Sequence, residues 1–570
     1  MNAPKDPNTL AQNPSPVEVI KDKSNFLRGT IIEGLADPIT GAISSDDTQL
    51  TKFHGTYQQD DRERRLDRKK KKLEPYYTFM IRCRLPGGVC TSDQWLAMDK
   101  LADQYANNTL KITTRQTFQL HGVIKRDLKA TFQGINACLV DTKCACGDVC
   151  RNTLVTSNPY ASAIHTQVYE LAKANAENLL PKSRAYYEVW LDGEKVEGNE
   201  EEPIYSKHYL PRKFKIAWAI PPDNEIDVFS NDLGFIAIIK NGKLEGFNIA
   251  CGGGMGMTHN TPTTYPRLGS IIGFCKPEQT MEVAKHIVMI QRDFGDRSNR
   301  AHARFKYTID DRGVDWLRDE VNSRLGWKLG KARDYEFSHM GDTYGWVKGT
   351  NGNWYLTVHI EHGRVKDVDG AMQKTGLREI AKTRKCEFRL TCNQGLVLGN
   401  IATKDKAAIN KLVKQYALDN YGSVSGLRKN SIACAALPYC ALSMAESERY
   451  LPTLMDKIEP LLKSHGLLDE PIVIRMTGCP NGCGRPYNAE IGLVGKSMGR
   501  YNLYLGASFT GDRMNKQYKE NITEEEILAE LDPLFAAFAK SRKKGEHFGD
   551  FCVRVGVIKA TTEGLDFWAE

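Results

Sequence analysis

The chain contains 570 residues with a mass of 64.0 kDa, and this length predicts roughly two to four domains, each with its own core. Hydrophobic residues make up 41% and charged residues 26% of the chain, which is typical of a folded protein in water and argues against a disordered or membrane-embedded chain. The formal net charge is +8. Much of the excess lies in residues 62–72 (RERRLDRKKKK), where we expect a solvated helix or arm.

We expect that the protein binds neither nucleic acid nor a membrane. Outside residues 62–72 the sequence has no zinc-finger spacing, no RNP-type aromatic pattern and no helix-turn-helix signal. Residues 1–25 are polar and contain prolines, unlike a signal sequence. No later stretch approaches the roughly 20 apolar residues that span a bilayer. We therefore predict a cytoplasmic location.

The 15 cysteines are unlikely candidates for a disulfide framework, because a cytoplasmic compartment is reducing. Clustered cysteines in such a chain are expected to be metal ligands or redox groups, whereas scattered ones are small buried hydrophobic residues.

The first clear elements in chain order are a helix and a strand. Ser92–Tyr105 places apolar residues such as Trp95 and Met98 along one side, which predicts an amphipathic helix. Residues 110–123 (LKITTRQTFQLHGV) then alternate in the manner of a strand and carry a Thr-x-x-Gln core that ends at Gln116.

Residues 143–151 (KCACGDVCR) follow with three thiols, those of Cys144, Cys146 and Cys150. We do not assign them to a metal site, because a complete set of four cysteines occurs later in the chain. They are interpreted as core or loop cysteines whose reactivity could make the protein sensitive to oxidation.

Residues 246–256 (GFNIACGGGMG) predict a strand that runs into a glycine-rich turn. The glycines lack the G-x-G-x-x-G spacing of a dinucleotide site and the strand–helix context that such a site needs. We therefore predict no NADPH site here, and instead a tight turn that lets the backbone approach a cofactor.

Two later segments repeat earlier ones in the same order, which indicates an internal duplication. Residues 388–401 (FRLTCNQGLVLGNI) match residues 110–123, with Gln394 opposite Gln116, and residues 500–511 (RYNLYLGASFTG) match residues 246–256. Strands and helices mixed without strict alternation predict an α+β protein with mostly antiparallel sheets. Two such halves would form a central crevice, where large cofactors commonly bind.

The last predicted helix covers residues 523–544, where a capping box of Thr523 and Glu526 precedes an apolar face.

Before this helix lie two cysteine pairs, Cys434-x5-Cys440 and Cys479-x3-Cys483. Four thiolates suit either zinc or an iron-sulfur cluster. The five-residue gap and the large surrounding chain favour the cluster over a small zinc knuckle. Four unrelated buried thiols are the remaining alternative.

Several segments resemble the sulfite and nitrite reductase family, and the likeness covers nearly the whole chain. The segments that carry it are residues 53–62 (FHGTYQQDDR), 82–88 (RCRLPGG), 115–122 (RQTFQLHG), 209–215 (YLPRKFK), 345–349 (GWVKG) and the two cysteine pairs. The resemblance implies that family's three-domain fold, with an internal pseudo-twofold repeat of mixed, largely antiparallel sheets around a central cofactor crevice. The implied divisions are an N-terminal arm (1–72), a ferredoxin-like pseudo-symmetric domain (73–145 with 345–418), a first catalytic repeat (146–344) and a second catalytic repeat that carries the cluster cysteines (419–570).

The resemblance also implies two cofactors. Cys434, Cys440, Cys479 and Cys483 would bind a 4Fe-4S cluster, and Cys483 would also bridge to the iron of a sirohaem. Sulfite would be reduced to sulfide in a six-electron reaction that serves sulfate assimilation and cysteine biosynthesis. Because no NADPH site is predicted in this chain, a flavoprotein reductase subunit would deliver the electrons from NADPH.

Basic residues are expected around an oxyanion substrate and a carboxylate-rich tetrapyrrole. By resemblance, the substrate face would be formed by Arg82, Arg151, Lys213 and Lys215. Lys213 and Lys215 flank Phe214 in an alternating pattern, which predicts a strand with both ammonium groups on one side. Arg115 and His121, predicted to lie on one strand, would hold the rim of the sirohaem.

Two alternatives remain at this point. An assimilatory nitrite reductase would use the same cofactor pair, although the four basic residues favour doubly charged sulfite. A non-catalytic iron-sulfur electron carrier, or a nucleic-acid-binding protein with a structural metal, would contain no sirohaem.

Overall fold

The computed structural model describes residues 6–157, 162–182, 190–191, 194–195 and 202–568. Its α-helices are α1 (Pro16–Lys23), α2 (Ile31–Ala36), α3 (Ser45–Leu50), α4 (Arg65–Lys70), α5 (Ser92–Tyr105), α6 (Leu128–Ala137), α7 (Ala163–Asn178), α8 (Thr280–Phe294), α9 (Phe305–Arg312), α10 (Val314–Leu325), α11 (Gln373–Lys382), α12 (Lys406–Gln415), α13 (Gly426–Lys429), α14 (Leu451–Ser464), α15 (Glu524–Ser541) and α16 (Phe548–Arg554).

The strands, in chain order, are β1 (Thr56–Asp60), β2 (Tyr77–Arg82), β3 (Val89–Cys90), β4 (Leu110–Ile112), β5 (Phe118–Val123), β6 (Leu154–Val155), β7 (Trp190–Leu191), β8 (Glu194–Lys195), β9 (Ile216–Ala219), β10 (Leu233–Lys240), β11 (Lys243–Cys251), β12 (Ser270–Cys275), β13 (Gly345–Lys348), β14 (Trp354–Val358), β15 (Arg364–Val365), β16 (Asp367–Val368), β17 (Ala371–Met372), β18 (Glu387–Leu390), β19 (Leu396–Ile401), β20 (Ser431–Ala433), β21 (Ile474–Thr477), β22 (Ile491–Ser497), β23 (Arg500–Leu505) and β24 (Lys516–Ile522).

Two antiparallel sheets form a matched pair. Their strand orders are β1-β2-β5-β4-β15 and β13-β14-β19-β18-β3. Each sheet ends in a short strand from the other half of the chain, since β15 pairs with β4 and β3 pairs with β18. The two sheets share one core, in which Trp95 stacks on Phe388 with ring centroids 4.4 Å apart. Strand β1 belongs to the segment expected to be an N-terminal arm.

Two mixed sheets form a second matched pair. Their orders are β6-β9-β10-β11-β12 and β20-β21-β22-β23-β24, and both begin with two parallel ladders and continue with two antiparallel ones. The predicted repeat partners β11 and β23 occupy the same position in the two sheets. The predicted α+β class and the internal duplication are therefore confirmed.

The segments 110–123 and 388–401 are hairpins, so the prediction of one continuous strand for residues 110–123 was wrong. In each hairpin the chain reverses at a glutamine with positive φ, 50° at Gln116 and 70° at Gln394. The Gln116 amide donates to Val155 O at 2.6 Å and accepts from Val155 N at 3.0 Å. Gln394 binds Ala433 in the same two ways, at 2.9 and 3.1 Å. These paired bonds hold each hairpin against the first strand of a mixed sheet.

Both predicted helices are present, and one of them ends earlier than predicted. Helix α5 has the predicted bounds and begins with a capping box from Thr91 and Gln94. Helix α15 starts after Thr523 with the predicted capping box, but it ends at Ser541 because Arg542 is extended. Among the described residues, no helix combines the length and the apolar character needed to cross a bilayer.

Candidate functional site

The four clustered cysteines follow two neighbouring strands of one mixed sheet. Cys434 comes directly after β20, and Cys479 comes shortly after β21. These strands are parallel, so their carboxyl ends meet at the same sheet edge, where sites in mixed and parallel sheets commonly form. Cys440 and Cys483 lie in the loops that continue from this edge.

The thiols are electrostatic neighbours of one another. Burial raises the pKa of Cys434, Cys440 and Cys479, the last to about 12, and in each case the Cys483 sulfur is the next cause. Cys483 itself is exposed. The backbone N–H of Gly478 also donates to the Cys434 sulfur at 3.4 Å, the kind of bond that tunes an iron-sulfur cluster.

Two kinds of metal site were considered from the sequence for these four thiols. In the described part of the chain, no group of three or more His, Cys, Asp and Glu side chains is arranged to hold a single metal ion. An iron-sulfur cube is larger than one ion, and four thiols in loops at one sheet edge are a suitable ligand set for it.

The glycine-rich turn at residues 252–256 packs directly against the loop of Cys479 and Cys483. Met257 N donates to Pro480 O at 3.0 Å, and a Cβ on Gly482 would lie 2.9 Å from Met255 O. The element after this turn is strand β12 rather than a helix. The arrangement agrees with the prediction that the turn is no dinucleotide site and permits a close backbone approach.

Arg82 ends strand β2 and is held by Gln119, Cys146 and Tyr57. Its Nε and Nη2 donate to Gln119 Oε1 at 3.1 and 2.9 Å, and its Nη1 donates to the Cys146 sulfur at 3.0 Å. The Cys483 sulfur is among the groups that raise the pKa of Arg82 against the lowering effect of burial, together with Cys146 and Tyr57. The predicted substrate arginine therefore lies within electrostatic reach of the predicted bridging thiolate.

Arg151 and the two predicted lysines lie on adjoining segments. Phe214 N donates to Val149 O at 3.0 Å, and Arg151 N donates to Phe214 O at 2.8 Å. The predicted strand is wrong in its extent, because β9 begins only at Ile216 and Phe214 forms an isolated parallel bridge with Cys150.

Lys213 and Lys215 nevertheless flank the buried Phe214 and influence each other. Among the described residues, neither ammonium group has a hydrogen-bond or ion-pair partner. Burial, followed by Arg212 and Arg304, lowers the pKa of Lys213 to about 7, while the Cys483 sulfur opposes this shift. Burial and then Lys213 lower the pKa of Lys215 well below its ordinary value. Lys213 and Lys215, together with the neighbouring Arg151, Arg212 and Arg304, form what we call the basic cluster. It carries more positive charge than the nearby carboxylates balance, so it favours an anionic ligand.

Arg115 lies in the turn of the first hairpin, not on a strand as predicted. Its Nη1 donates to Asn231 Oδ1 at 2.6 Å and its Nη2 to Ile216 O at 3.2 Å, but its buried Nε has no partner in the described residues. Burial, followed by Arg485 and Arg151, lowers the pKa of Arg115 to about 9. An unpaired buried guanidinium nitrogen calls for an acceptor from a bound group.

His121 lies on strand β5 as predicted, but it is only 1% exposed. Its Nε2 is 2.9 Å from Gln119 Nε2, and its ring lies against Tyr439 with centroids 4.7 Å apart. Its buried Nδ1 has no partner among the described residues. Burial lowers its pKa well below the ordinary value, so the ring is neutral.

The sequence interpretation missed several residues at the same place. Arg304 binds both oxygens of Asp232 at 3.0 Å, and its Nε is buried without a partner in the described chain. Lys306 donates to Gly254 O at 3.1 Å and to Gly256 O at 2.9 Å. The alternation of Arg304 and Lys306 around an apolar residue was the available signal, and it is the same signal as at Lys213 and Lys215.

Comparisons with known proteins indicate one family over nearly the whole chain. Residues 71–138 and 347–416 match the nitrite/sulfite reductase ferredoxin-like half domain. Residues 170–329 match the nitrite and sulphite reductase 4Fe-4S domain. This second match lies in the first mixed-sheet repeat and not in the one with the clustered cysteines, as expected where two repeats share a topology.

Two curated relatives carry the same name, sulfite reductase (NADPH) hemoprotein beta-component. The one from Shouchella clausii is 58% identical over 558 residues, with 97% of each chain covered. The one from Geobacillus kaustophilus is 57% identical over 559 residues, covering 97% of this chain and 98% of the relative. The solved structure of the Mycobacterium tuberculosis NirA protein shares the fold, with a TM-score of 0.76 and 24% identity over 95% of this chain and 97% of that one. The chain therefore belongs to the sulfite and nitrite reductase family.

Proposed function

We propose that this chain is the catalytic hemoprotein of an NADPH-dependent assimilatory sulfite reductase, which reduces sulfite to sulfide for cysteine biosynthesis. The observation that carries the proposal is the meeting of four neighbouring thiols with an uncompensated basic cluster around Cys483. The names of the curated relatives support the same substrate and the same electron donor.

The described residues fit both cofactors. We infer that Cys434, Cys440, Cys479 and Cys483 hold a 4Fe-4S cluster and that Cys483 also serves the sirohaem iron. Sirohaem carries eight carboxylates, and the unpaired nitrogens of Arg115 and His121 are suitable donors to its rim. When bound, the two cofactors supply an iron centre that binds sulfur and a route that passes electrons one at a time.

The basic side chains bind and orient the oxyanion. Arg82 and Arg151 offer fixed positive charge and Lys213 and Lys215 offer N–H donors, which together stabilise the charge of sulfite and of the transition state. Lys213, with a pKa lowered to about 7, can both hold and release a proton at Nζ near neutral pH, as the loss of oxygen atoms as water requires.

A flavoprotein reductase subunit is the proposed source of electrons, and residues 62–73 form the proposed entry face. Arg62 donates to Ser443 O, next to the loop of Cys440. Leu442 is 65% exposed and Leu66 is 70% exposed, and the lysines at 69–72 are also exposed. A basic rim with apolar contacts suits an acidic electron-transfer partner.

Charge reversal tests this entry face. The triple change Lys69→Glu, Lys70→Glu and Lys71→Glu should raise KM for the flavoprotein about tenfold at low salt and leave sulfite reduction by reduced methyl viologen unchanged. The control is Lys543→Glu with Lys544→Glu, since these lysines are equally exposed. Equal effects of the two sets, or no effect of the triple change, would exclude this face.

The location is proposed to be cytoplasmic. All 15 cysteines are free thiols, which agrees with a reducing compartment.

Steady-state kinetics test the proposed reaction. Purified protein with reduced methyl viologen should reduce sulfite to sulfide with a higher kcat/KM than it reduces nitrite to ammonia. The basic cluster around Cys483 provides the reason, because it favours the more highly charged anion. A much higher kcat/KM with nitrite would assign the chain to the nitrite reductases of the family.

A further inference from the structure

The guanidinium of Arg82 is held by three side chains, those of Gln119, Cys146 and Tyr57. Gln119 Oε1 accepts from Nε and Nη2, and the Cys146 sulfur accepts from Nη1. An arginine has five N–H donors in a planar fork. Gln119 takes the two donors of the side edge, Cys146 takes one donor of Nη1 and Tyr57 takes one more. One N–H group therefore remains for a charge-assisted bond to an oxyanion.

The same glutamine also determines the hydrogen positions on His121. Arg82 can only donate, so Gln119 must direct Oε1 toward it and Nε2 toward His121 Nε2, 2.9 Å away. An amide nitrogen donates, so His121 Nε2 accepts. The ring is neutral, and its proton therefore resides on Nδ1, the buried nitrogen without a partner in the described residues. Hydrogen positions assigned in this way follow from the bonding network.

The duplicated half of the molecule has no counterpart of this arrangement. Strand pairing places Gln119 opposite Arg82 in the first antiparallel sheet. The corresponding pair in the second sheet is Val397 opposite Thr357. Hence the backbone register does not require the arginine and glutamine pair, and the pair occurs only in the half that faces the clustered thiols.

We propose that Gln119 is a positioning residue for sulfite binding, which holds the Arg82 guanidinium in the orientation that binds the substrate and fixes His121 as the Nδ1–H tautomer. Cys146 supports the same orientation of Arg82 from the other side of the guanidinium. This inference rests on the proposed function, because it concerns the arginine that binds the substrate.

The test is a double-mutant cycle on the holoenzyme with reduced methyl viologen as donor. Gln119→Leu should raise KM for sulfite between about tenfold and a hundredfold, the range for lost orienting contacts, with a smaller change in kcat. In an Arg82→Ala background the same change should have little further effect, because Gln119 acts through Arg82. The sulfite dissociation constant, followed by the shift in the visible spectrum, should change in parallel with KM.

Two further variants keep the outcome decisive. Gln119→Glu has the shape of glutamine and keeps an acceptor for Arg82, but its charge offsets the guanidinium and it cannot donate to a neutral His121. It should also raise KM, again only while Arg82 is present. Gln59→Leu removes another buried glutamine from strand β1 of the same sheet, one whose side-chain oxygen has no hydrogen-bond partner among the described residues, and should leave KM unchanged.

The inference is overturned if the effects of Gln119 and Arg82 on KM are additive, or if both Gln119 variants bind sulfite as the unmodified enzyme does. Failure of the proposed function would give a different result from failure of this inference. In that case the unmodified protein would itself lack sulfite reduction or the chromophore.

Discussion

The two halves of this molecule have the same strand topology but different chemistry. In both, a glutamine with positive φ, Gln116 or Gln394, binds the backbone of the first strand of a mixed sheet. The basic residues of the proposed substrate and sirohaem site lie in the first half. Counting from these glutamines, the position of Arg115 is held by Asn393 in the other half, and that of His121 by Gly399.

In the second half, the region equivalent to the basic cluster contains only a very small cavity. Arg151 corresponds to Lys429, and Lys215, which precedes β9, corresponds to Val473, which precedes β21. Asn393, Lys429 and Val473 together line a cavity of about 10 Å³, too small for more than a water molecule. The duplicated fold thus supplies the framework, and a few side-chain differences decide which half binds an anion.

The thiols show the reverse distribution. Cys434 directly follows β20, and its counterpart after β6 is Thr156. In the proposed assignment, the second half supplies the cluster ligands and the first half supplies the basic side chains, so a complete site needs both.

The largest expected effect comes from removing the thiolate shared by the two proposed cofactors. Cys483→Ser should abolish sulfite reduction and change both the cluster and the sirohaem absorption, because a hydroxyl is a poor replacement for a soft thiolate ligand. Cys552→Ser is the control: this thiol is buried in the core of the second mixed-sheet repeat, so activity and spectrum should be retained. Equal loss in the two variants would contradict the ligand assignment.

Lys215→Met should lower kcat/KM for sulfite about a hundredfold or more while the visible spectrum stays unchanged, because the ammonium group is proposed to bind the substrate and is not among the proposed cofactor ligands. Lys429→Met, at the position equivalent to Arg151 in the second half, should leave kcat/KM unchanged. Full activity of Lys215→Met in steady-state assays would remove this lysine from the site.

The smallest expected difference is between variants of the glutamine contact that both halves share. Gln116→Leu and Gln394→Leu should each lower the free energy of unfolding by about 2–4 kcal/mol, since each change leaves a buried backbone N–H and C=O unpaired. Denaturant unfolding of the two variants should give losses within about 1 kcal/mol of each other. A large loss in one variant alone would mean that the two hairpins are not equivalent.

Sequence patterns were sufficient for features that depend on local spacing. The internal duplication and the capping box at Thr523 are confirmed. The cysteine pairs lie at one sheet edge, and their role as cluster ligands stays a prediction. Helix α5 was predicted to the residue, because its apolar face and its N-terminal cap coincide.

Other features depend on contacts between distant residues and were missed. The turn at Gln116 carries no glycine or proline signal, so residues 110–123 resembled one strand. Gln119 meets Arg82 across 37 residues, and Cys146 meets it across 64. No periodicity predicts such pairs, since only the sheet register and the loop path bring them together.

Metal and cofactor analysis of the purified, matured protein tests the central claim most directly. The account predicts about five iron atoms and about four acid-labile sulfides per chain, with an extractable iron tetrapyrrole that gives a Soret band and a red absorption band. A colourless protein, or one that contains zinc in place of iron, would contradict it.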